Sequence, residues 1–164
     1  MRLAIKFIKD NLKGELVGAE IGVNKGYHAK EIYDALNLKM LYLIDPWNNF
    51  MDMDSKEIIG EAHFLLAKET LKDCNNIQFI RATSLVAATQ FSREFDFIYI
   101  DGAHNYEAVA TDILHWFPKV KKGGVLAGHD YHITIPGVVR AVDEFGERNN
   151  LKVFNLGEDW WFWK

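Results

Sequence analysis

Apolar residues in this chain fall into short runs that alternate with stretches of helical periodicity. The opening stretch, MRLAIKFIKDNLK, puts Leu3, Phe7 and Ile8 on one side of an amphipathic helix. An apolar run then ends in Glu20, and Gly22 and Gly26 follow. From there Ala29, Ile32, Tyr33 and Leu36 keep helical spacing. Met40–Ile44 is wholly apolar, as suits the interior of a parallel sheet. Asp45-Pro46-Trp47 ends it, because proline cannot donate to the ladder. The polar loop Asn48–Ser55 leads to a helix predicted to bury Ile59, Ala62, Leu66 and Thr70. Ile77–Ile80 is the next predicted strand, with Ser84 as the N-cap of the short segment after it. Phe95–Ile100 is a strand closing at Asp101-Gly102, and the helix beyond it turns Val109, Ile113 and Trp116 inward until Pro118 stops it. Lys121–Gly124 reads as a turn, and Val125–Ala127 as a strand ending at Gly128-His129-Asp130. Pro136 opens a helix with Val138, Val142 and Phe145 inward. Strands around Val153 and across Trp160–Trp163 close the chain.

Repeated β-α units with short connections specify an α/β fold: a Rossmann-like, doubly wound, mostly parallel sheet with helices on both faces. The connection Asn155–Asp159 is too short for a crossover, so the last strands form a C-terminal antiparallel hairpin. The aromatics of the Trp160–Trp163 run alternate to cover both sides of the sheet. One domain over residues 1–164 accounts for the whole pattern, with no repeats or linkers.

Composition narrows the setting. Hydrophobic residues make up 49% and charged residues 26%, and the net charge of -4 builds in no attraction to nucleic acid or anionic lipid. The lone Cys74 cannot form an internal disulfide and reads as a small hydrophobe. No apolar stretch approaches a membrane span, and Arg2, Lys6 and Lys9 interrupt any secretory core, so a cytoplasmic location is expected.

Candidate chemistry gathers at the strand ends. In an open α/β sheet, ligands bind beyond the carboxyl ends of the strands, where the strand order switches. Those ends read Glu20, Asp45, Ala82-Thr83-Ser84, Asp101 and Asp130. The glycine turn after Glu20 would bring backbone N–H groups against a ligand, with a Cβ at Gly22 or Gly26 keeping the ligand off. Its E-x-G-x-x-x-G spacing is wider than the dinucleotide pattern and suits a ligand with a cationic sulfonium and amino group. Asp101 and Asp130 close neighbouring strands and would repel each other unless a positive group lay between them. His104 and His129 stand beside them. His28, His63, His115 and His132 lack such context and read as surface or capping residues.

Four segments carry a family resemblance: AEIGVNKG (Ala19–Gly26), YLIDPW (Tyr42–Trp47), FDFIYIDGAHNYEAVATDI (Phe95–Ile113) and KKGGVLAGHDY (Lys121–Tyr131). In this order they resemble class I S-adenosylmethionine-dependent methyltransferases. The nearest branch is the small bacterial family that contains macrocin-type sugar O-methyltransferases and cephalosporin-hydroxylase-type proteins. The resemblance implies that Glu20, Gly22 and Gly26 hold the methionine end of S-adenosylmethionine and that Asp45 accepts hydrogen bonds from the ribose hydroxyls. Ser84, or a backbone amide beside it, would meet the adenine. Asp101 would border the cofactor and join Asp130 at the catalytic centre. In metal-dependent members a divalent cation (magnesium, manganese or similar) lies between such aspartates and lowers the pKa of the substrate hydroxyl. The residue before the second aspartate is usually acidic there. Here it is His129, giving Asp101, Asp130 and His129 as metal ligands and shifting preference toward manganese, iron or zinc. His104 is a general base or a second imidazole ligand.

The implied activity is O-methylation of a small hydroxylated molecule. A non-catalytic domain that binds S-adenosylmethionine or another metabolite remains the alternative. A nicotinamide-dependent dehydrogenase is disfavoured by the glycine spacing and the antiparallel ending. Base methylation is disfavoured because DGAH stands where the amino-methylating D/N-P-P-Y/W motif would lie. The expected partner is a small-molecule substrate, not nucleic acid or membrane, and a homo-oligomer is compatible with the sequence.

Overall fold

The computed structural model describes residues 1–51, 56–92 and 94–164. Helix α1 (Leu3–Asn11) precedes strand β1 (Leu16–Ile21), helix α2 (Tyr27–Ala35) and strand β2 (Leu38–Ile44). Two short strands, β3 (Phe50–Met51) and β4 (Ile58–Ile59), pair as an antiparallel ribbon before α3 (Glu61–Thr70). Then come β5 (Ile77–Ile80), α4 (Ser84–Gln90), β6 (Phe95–Ile100), α5 (Tyr106–Trp116) and a 3-10 turn at Phe117–Lys119. Strand β7 (Val120–Gly128), α6 (Pro136–Asn149), β8 (Phe154–Leu156) and β9 (Asp159–Trp163) complete the chain.

The main sheet has seven strands in the order β5-β2-β1-β6-β7-β9-β8. Strands β5 to β7 run parallel, and β9 is antiparallel to both β7 and β8. The doubly wound sheet with its antiparallel ending is therefore present as the sequence predicts. The order switches between β1 and β6, which opens the crevice at their carboxyl ends.

Each face buries its own core. Ile5, Ile8, Ile32, Leu41, Leu43 and Trp47 lie on the face covered by α1, α2 and α3, and Ile98, Ile113, Trp116, Leu126 and Val142 on the other. Burying each such side chain contributes about 1.5–3 kcal/mol. The final aromatics divide as alternation requires: Trp160 and Phe162 enter the second core, and Trp161 the first. Gly18 in β1 is dictated by a neighbour across the sheet, because a Cβ there would run into the Phe97 ring.

Several local expectations need correction. In α1 the buried residues are Ala4, Ile5 and Ile8, while Leu3 is exposed and Phe7 packs at the edge against Trp161. In α3 only Ala67 is buried; Ala62 and Leu66 face out, and Phe64 and Leu71 supply the rest of the contact. The run His63–Ala67 has apolar residues all round the helix, so periodicity could not choose its face. Part of the expected polar loop is the β3–β4 ribbon, and its residues 52–55 lie outside the described residues. Lys121–Gly124 is not a free turn. It lies within β7 as an irregularity between the pairs Phe95–Val120 and Phe97–Val125, and Gly123 takes φ 83°. Thr83, not Ser84, caps α4, accepting the Val86 N–H.

Candidate active site

The strand ends converge because the hydrogen-bond ladder runs one step past each strand. Gly22 donates to Ile44, Asp45 to Ile80, Asp101 to Ile21 and His129 to Ile100. Glu20, Asp45, Asp101 and Asp130 thereby share one edge of the sheet.

The glycine turn is built by backbone conformation. Gly22 (φ 87°) and Gly26 (φ 79°) sit in the left-handed region, and Asn24 (φ 51°) lies between them. A Cβ on Gly22 would collide with the Asp101 carbonyl, and one on Gly26 would press on Ala67 and Leu71. The sequence reading gave these glycines the task of clearing space for a ligand. The structure gives them a prior one, letting the turn pass close to β6 and α3.

Asp45 ties this turn to β2. It is buried, and it accepts the Asn24 N–H at 2.9 Å and the Trp47 N–H at 3.0 Å. Trp47 in turn donates its indole N–H to the Asn24 carbonyl at 2.9 Å. Burial pushes the Asp45 carboxyl above its ordinary pKa, with these backbone donors opposing. Each Asp45 oxygen keeps a lone pair beyond the bond it accepts, so hydroxyl donors could still be received.

Glu20 is fully buried, and its Oε1 lies 2.7 Å from His28 Nδ1. Burial raises the Glu20 pKa, against the lowering effect of His28. Glu20 Oε2 and Asn24 Oδ1 have no hydrogen-bond partner among the described residues. His28 is therefore no surface residue: its side chain is 9% exposed and its ring lies 4.4 Å from that of Tyr99. A histidine two positions after the glycine turn must face the strand end that the first turn of α2 covers, and that was the available signal.

Asp101 meets an arginine. Arg2 Nη1 donates to Asp101 Oδ2 at 2.8 Å and to the Tyr99 hydroxyl at 3.2 Å. Tyr99 donates to Asp159 Oδ1 at 2.7 Å, and Asp159 Oδ2 accepts the Ala4 N–H at 2.8 Å. Burial works against the Arg2 charge, but Asp101 and Tyr99 outweigh it and raise the Arg2 pKa. Burial raises the pKa of Tyr99 as well. Sequence reasoning missed Arg2, Tyr99 and Asp159, since nothing local signals partners 97 and 99 positions away from Arg2.

Asp130, at the end of β7, takes a left-handed φ of 62° and faces two imidazoles. His104 Nε2 lies 3.0 Å from its Oδ2, and His129 Nδ1 lies 3.2 Å from its Oδ1. Burial would raise the Asp130 pKa, but the two histidines hold it well below the carboxylate range. The bond to Asp130 in turn raises that of His129. Arg2 beside Asp101, and two imidazoles beside Asp130, therefore stand where a positive group was expected. Asp101, His104, His129, Asp130 and Trp160 line one narrow cleft.

Donor atoms of Asp101, His104 and Asp130 lie within 4.8 Å of one another, and so do those of His129, Asp130 and Glu158. The expected trio of Asp101, Asp130 and His129 is split between these two groups. Ser84 lies at the start of α4, where its hydroxyl bonds Asp112 and accepts the Trp116 indole N–H at 2.8 Å. The buried Asp112 carboxyl is pushed up to about 6 by burial, against the Ser84 hydrogen bond.

The edge thus combines a buried carboxylate with one oxygen unpartnered among the described residues (Glu20), a buried carboxylate holding the glycine turn (Asp45) and an imidazole–carboxylate pair (His104 with Asp130). The comparisons with known proteins bear on the fold and the family. A family model described as a methyltransferase domain matches residues 19–131. A candidate methyltransferase from Streptococcus mutans, crystallised with SAH (S-adenosylhomocysteine), superposes with a TM-score of 0.76 at 13% identity, covering 99% of this chain and 96% of that one. An rRNA methylase from Streptococcus thermophilus gives a TM-score of 0.72 at 13% identity, covering 99% and 94%. The O-methyltransferase NovP gives 0.69 at 15% identity, covering 98% and 79%. No curated protein sequence matches the chain. No helix among the described residues is long and apolar enough to cross a membrane. The fold is that of class I S-adenosylmethionine-dependent methyltransferases, and the chain belongs to the methyltransferase-domain family.

Proposed function

We propose that this protein transfers a methyl group from S-adenosylmethionine to a hydroxyl oxygen of a small molecule, with His104 accepting the hydroxyl proton. The observation that carries this reading is the His104–Asp130 pair, 3.0 Å apart, at the carboxyl ends of β6 and β7 beside Asp101. When bound, S-adenosylmethionine supplies a methyl carbon on a sulfonium sulfur, and that sulfur departs as a neutral thioether carrying the S–CH3 electron pair. Glu20 and Asn24 support its binding, because each holds a buried oxygen without a donor among the described residues, which an ammonium or a hydroxyl would meet. Asp45 has lone pairs for the ribose hydroxyls. Because Asp112 and Trp116 already engage the Ser84 hydroxyl, a backbone amide beside Ser84 would take the adenine edge. Asp130 orients the imidazole and stabilises the imidazolium that forms, which is the task of the third member of an acid–base relay. Alignment of oxygen, methyl and sulfur and the exclusion of water would supply most of the remaining acceleration.

A second reading, in which a divalent cation assists, is favoured by the convergence of Asp101, His104 and Asp130 donor atoms within 4.8 Å. Those residues would hold the ion, and mixed imidazole and carboxylate donors suit manganese or zinc better than magnesium. The net charge of -4 favours a small molecule over RNA as substrate, although two structural neighbours are described as rRNA methylases. Isothermal titration with S-adenosylmethionine, with and without manganese, followed by turnover on a panel of hydroxyl compounds and a structured RNA, tests the reading. Binding with methylation of a small hydroxyl compound is expected. Binding without turnover of any panel member would instead make this a non-catalytic module, and methylation of the RNA alone would replace the substrate class.

A further inference from the structure

Arg2, which reaches Asp101 from the residue before α1, has more donors than the described residues use. Arg2 directs Nη1 to Asp101 Oδ2 at 2.8 Å and to the Tyr99 hydroxyl at 3.2 Å, and no other Arg2 guanidinium N–H has a protein partner among the described residues. Its side chain is 26% exposed, so the remaining donors are within reach of a ligand. A guanidinium presents five N–H donors in a planar fork that matches a carboxylate with two parallel bonds. Arg2 is held firmly for this: Asp101 and Tyr99 fix the head group, and Asp159 anchors α1 by accepting the Ala4 N–H.

The second observation is the opposite deficiency nearby. Glu20 is 0% exposed, and its Oε2 has no donor among the described residues. Carboxylate oxygens of Glu20 and Asp101 and a nitrogen of His28 lie within 4.8 Å of one another. Arg2 sits on the Asp101 side of that cluster. An acceptor lacking a donor thus lies near a cation with donors to spare. The group complementary to both is an α-amino acid terminus, with its ammonium and its carboxylate on a single carbon.

We infer that Arg2 is the carboxylate clamp of the crevice, binding the α-carboxylate of the methionine moiety while Glu20 receives its ammonium. The inference rests on the reading of this crevice as an S-adenosylmethionine site, and it assigns a ligand contact to α1, outside the residues 19–131 that the family model matches. An arginine that only neutralised Asp101 would need none of its spare donors and would be indifferent to the carboxylate of a ligand.

Three probes separate these cases by calorimetric affinity: S-adenosylhomocysteine, its decarboxylated analogue S-adenosyl-3-thiopropylamine, and 5′-methylthioadenosine, which lacks the amino acid altogether. The native protein should prefer S-adenosylhomocysteine to the decarboxylated analogue by 10-fold or more. Arg2→Gln should weaken S-adenosylhomocysteine by about 10- to 100-fold and erase that preference. Its affinity for the other two probes should stay within about 2-fold of native, and Arg2→Lys should be intermediate. Equal native affinity for the first two probes overturns the clamp, and because it needs no variant it decides the matter even if Arg2→Gln does not fold. Undiminished discrimination in Arg2→Gln or Arg2→Lys also overturns it. A native protein that binds none of the three removes the S-adenosylmethionine reading itself.

Discussion

Glu20 Oε1 lies 2.7 Å from His28 Nδ1 inside the protein, while the other Glu20 oxygen has no donor among the described residues. A buried carboxylate satisfied on one side only is a standing destabilisation, and burial raises its pKa accordingly. On the proposed reading, that unmet oxygen receives the ammonium of the ligand. Glu20→Gln should therefore leave the melting temperature of the ligand-free protein unchanged or higher, while S-adenosylhomocysteine no longer raises it. Differential scanning fluorimetry with and without that compound checks both halves. A ligand-induced shift of native size in the variant would remove Glu20 from the site.

Asp45 carries a structural duty besides its proposed one. Its two oxygens accept the Asn24 and Trp47 N–H groups, so truncation leaves two backbone donors at a buried position short of a partner. Each unsatisfied donor costs about 1–3 kcal/mol. Asp45→Ala should lower the melting temperature by several degrees and weaken S-adenosylhomocysteine by about 10-fold or more. Asp45→Asn retains one acceptor oxygen and should fall between. Calorimetric affinity measured at a temperature where both variants are folded separates the two effects. Unchanged affinity would leave Asp45 as a turn residue alone.

The sheet and the acidic edge were legible because both follow from local pattern. Runs such as Met40–Ile44 and Phe95–Ile100 are apolar without a break, and each ends in the residue that terminates it. The fold then brings Glu20, Asp45, Asp101 and Asp130 to one side automatically. What could not be read was which cation answers which carboxylate. Asp101 is met by Arg2 at the N-cap of α1, a pairing that only the packing of α1 on the sheet creates, and Tyr99 in β6 joins Arg2 to Asp159 in β9. His28 was legible in principle, since the first turn of a helix following a glycine turn must face the strand end. The misread face of α3 has a different cause: in His63–Ala67, Phe64 and Leu66 offer competing apolar stripes, and the contact with Gly26 and Leu71 selects the first.

Asp112 gives stability a pH dependence of predictable sign. Burial pushes its carboxyl from an ordinary value of 3.8 up to about 6, so in the acid range the folded protein holds a proton that the unfolded chain has released. That contribution is complete below about pH 4 and is lost as pH rises through 6, a difference of about 3 kcal/mol. Asp112→Asn, uncharged at every pH, should gain melting temperature relative to the native protein on going from pH 4.5 to pH 7.5, by several degrees. Paired melts across that range cancel the titration of the other groups. A constant offset between the two proteins would mean that Asp112 is ionised throughout.

The two readings of the catalytic centre part over His104. If its imidazole takes the hydroxyl proton, His104→Gln should reduce the rate on the identified substrate by about 100- to 10,000-fold, with affinity for S-adenosylhomocysteine within about 2-fold of native. Asp130 acts through that imidazole, and its carboxyl is held ionised by His104 and His129 despite burial. Asp130→Asn should therefore cost less than His104→Gln and should shift the pH–rate profile, because the imidazolium loses its stabilising charge. A chelator should leave the native rate unchanged. Activity abolished by chelation and restored by titrated manganese, with Asp101→Asn as damaging as Asp130→Asn, would instead make these side chains the ligands of a cation that activates the hydroxyl.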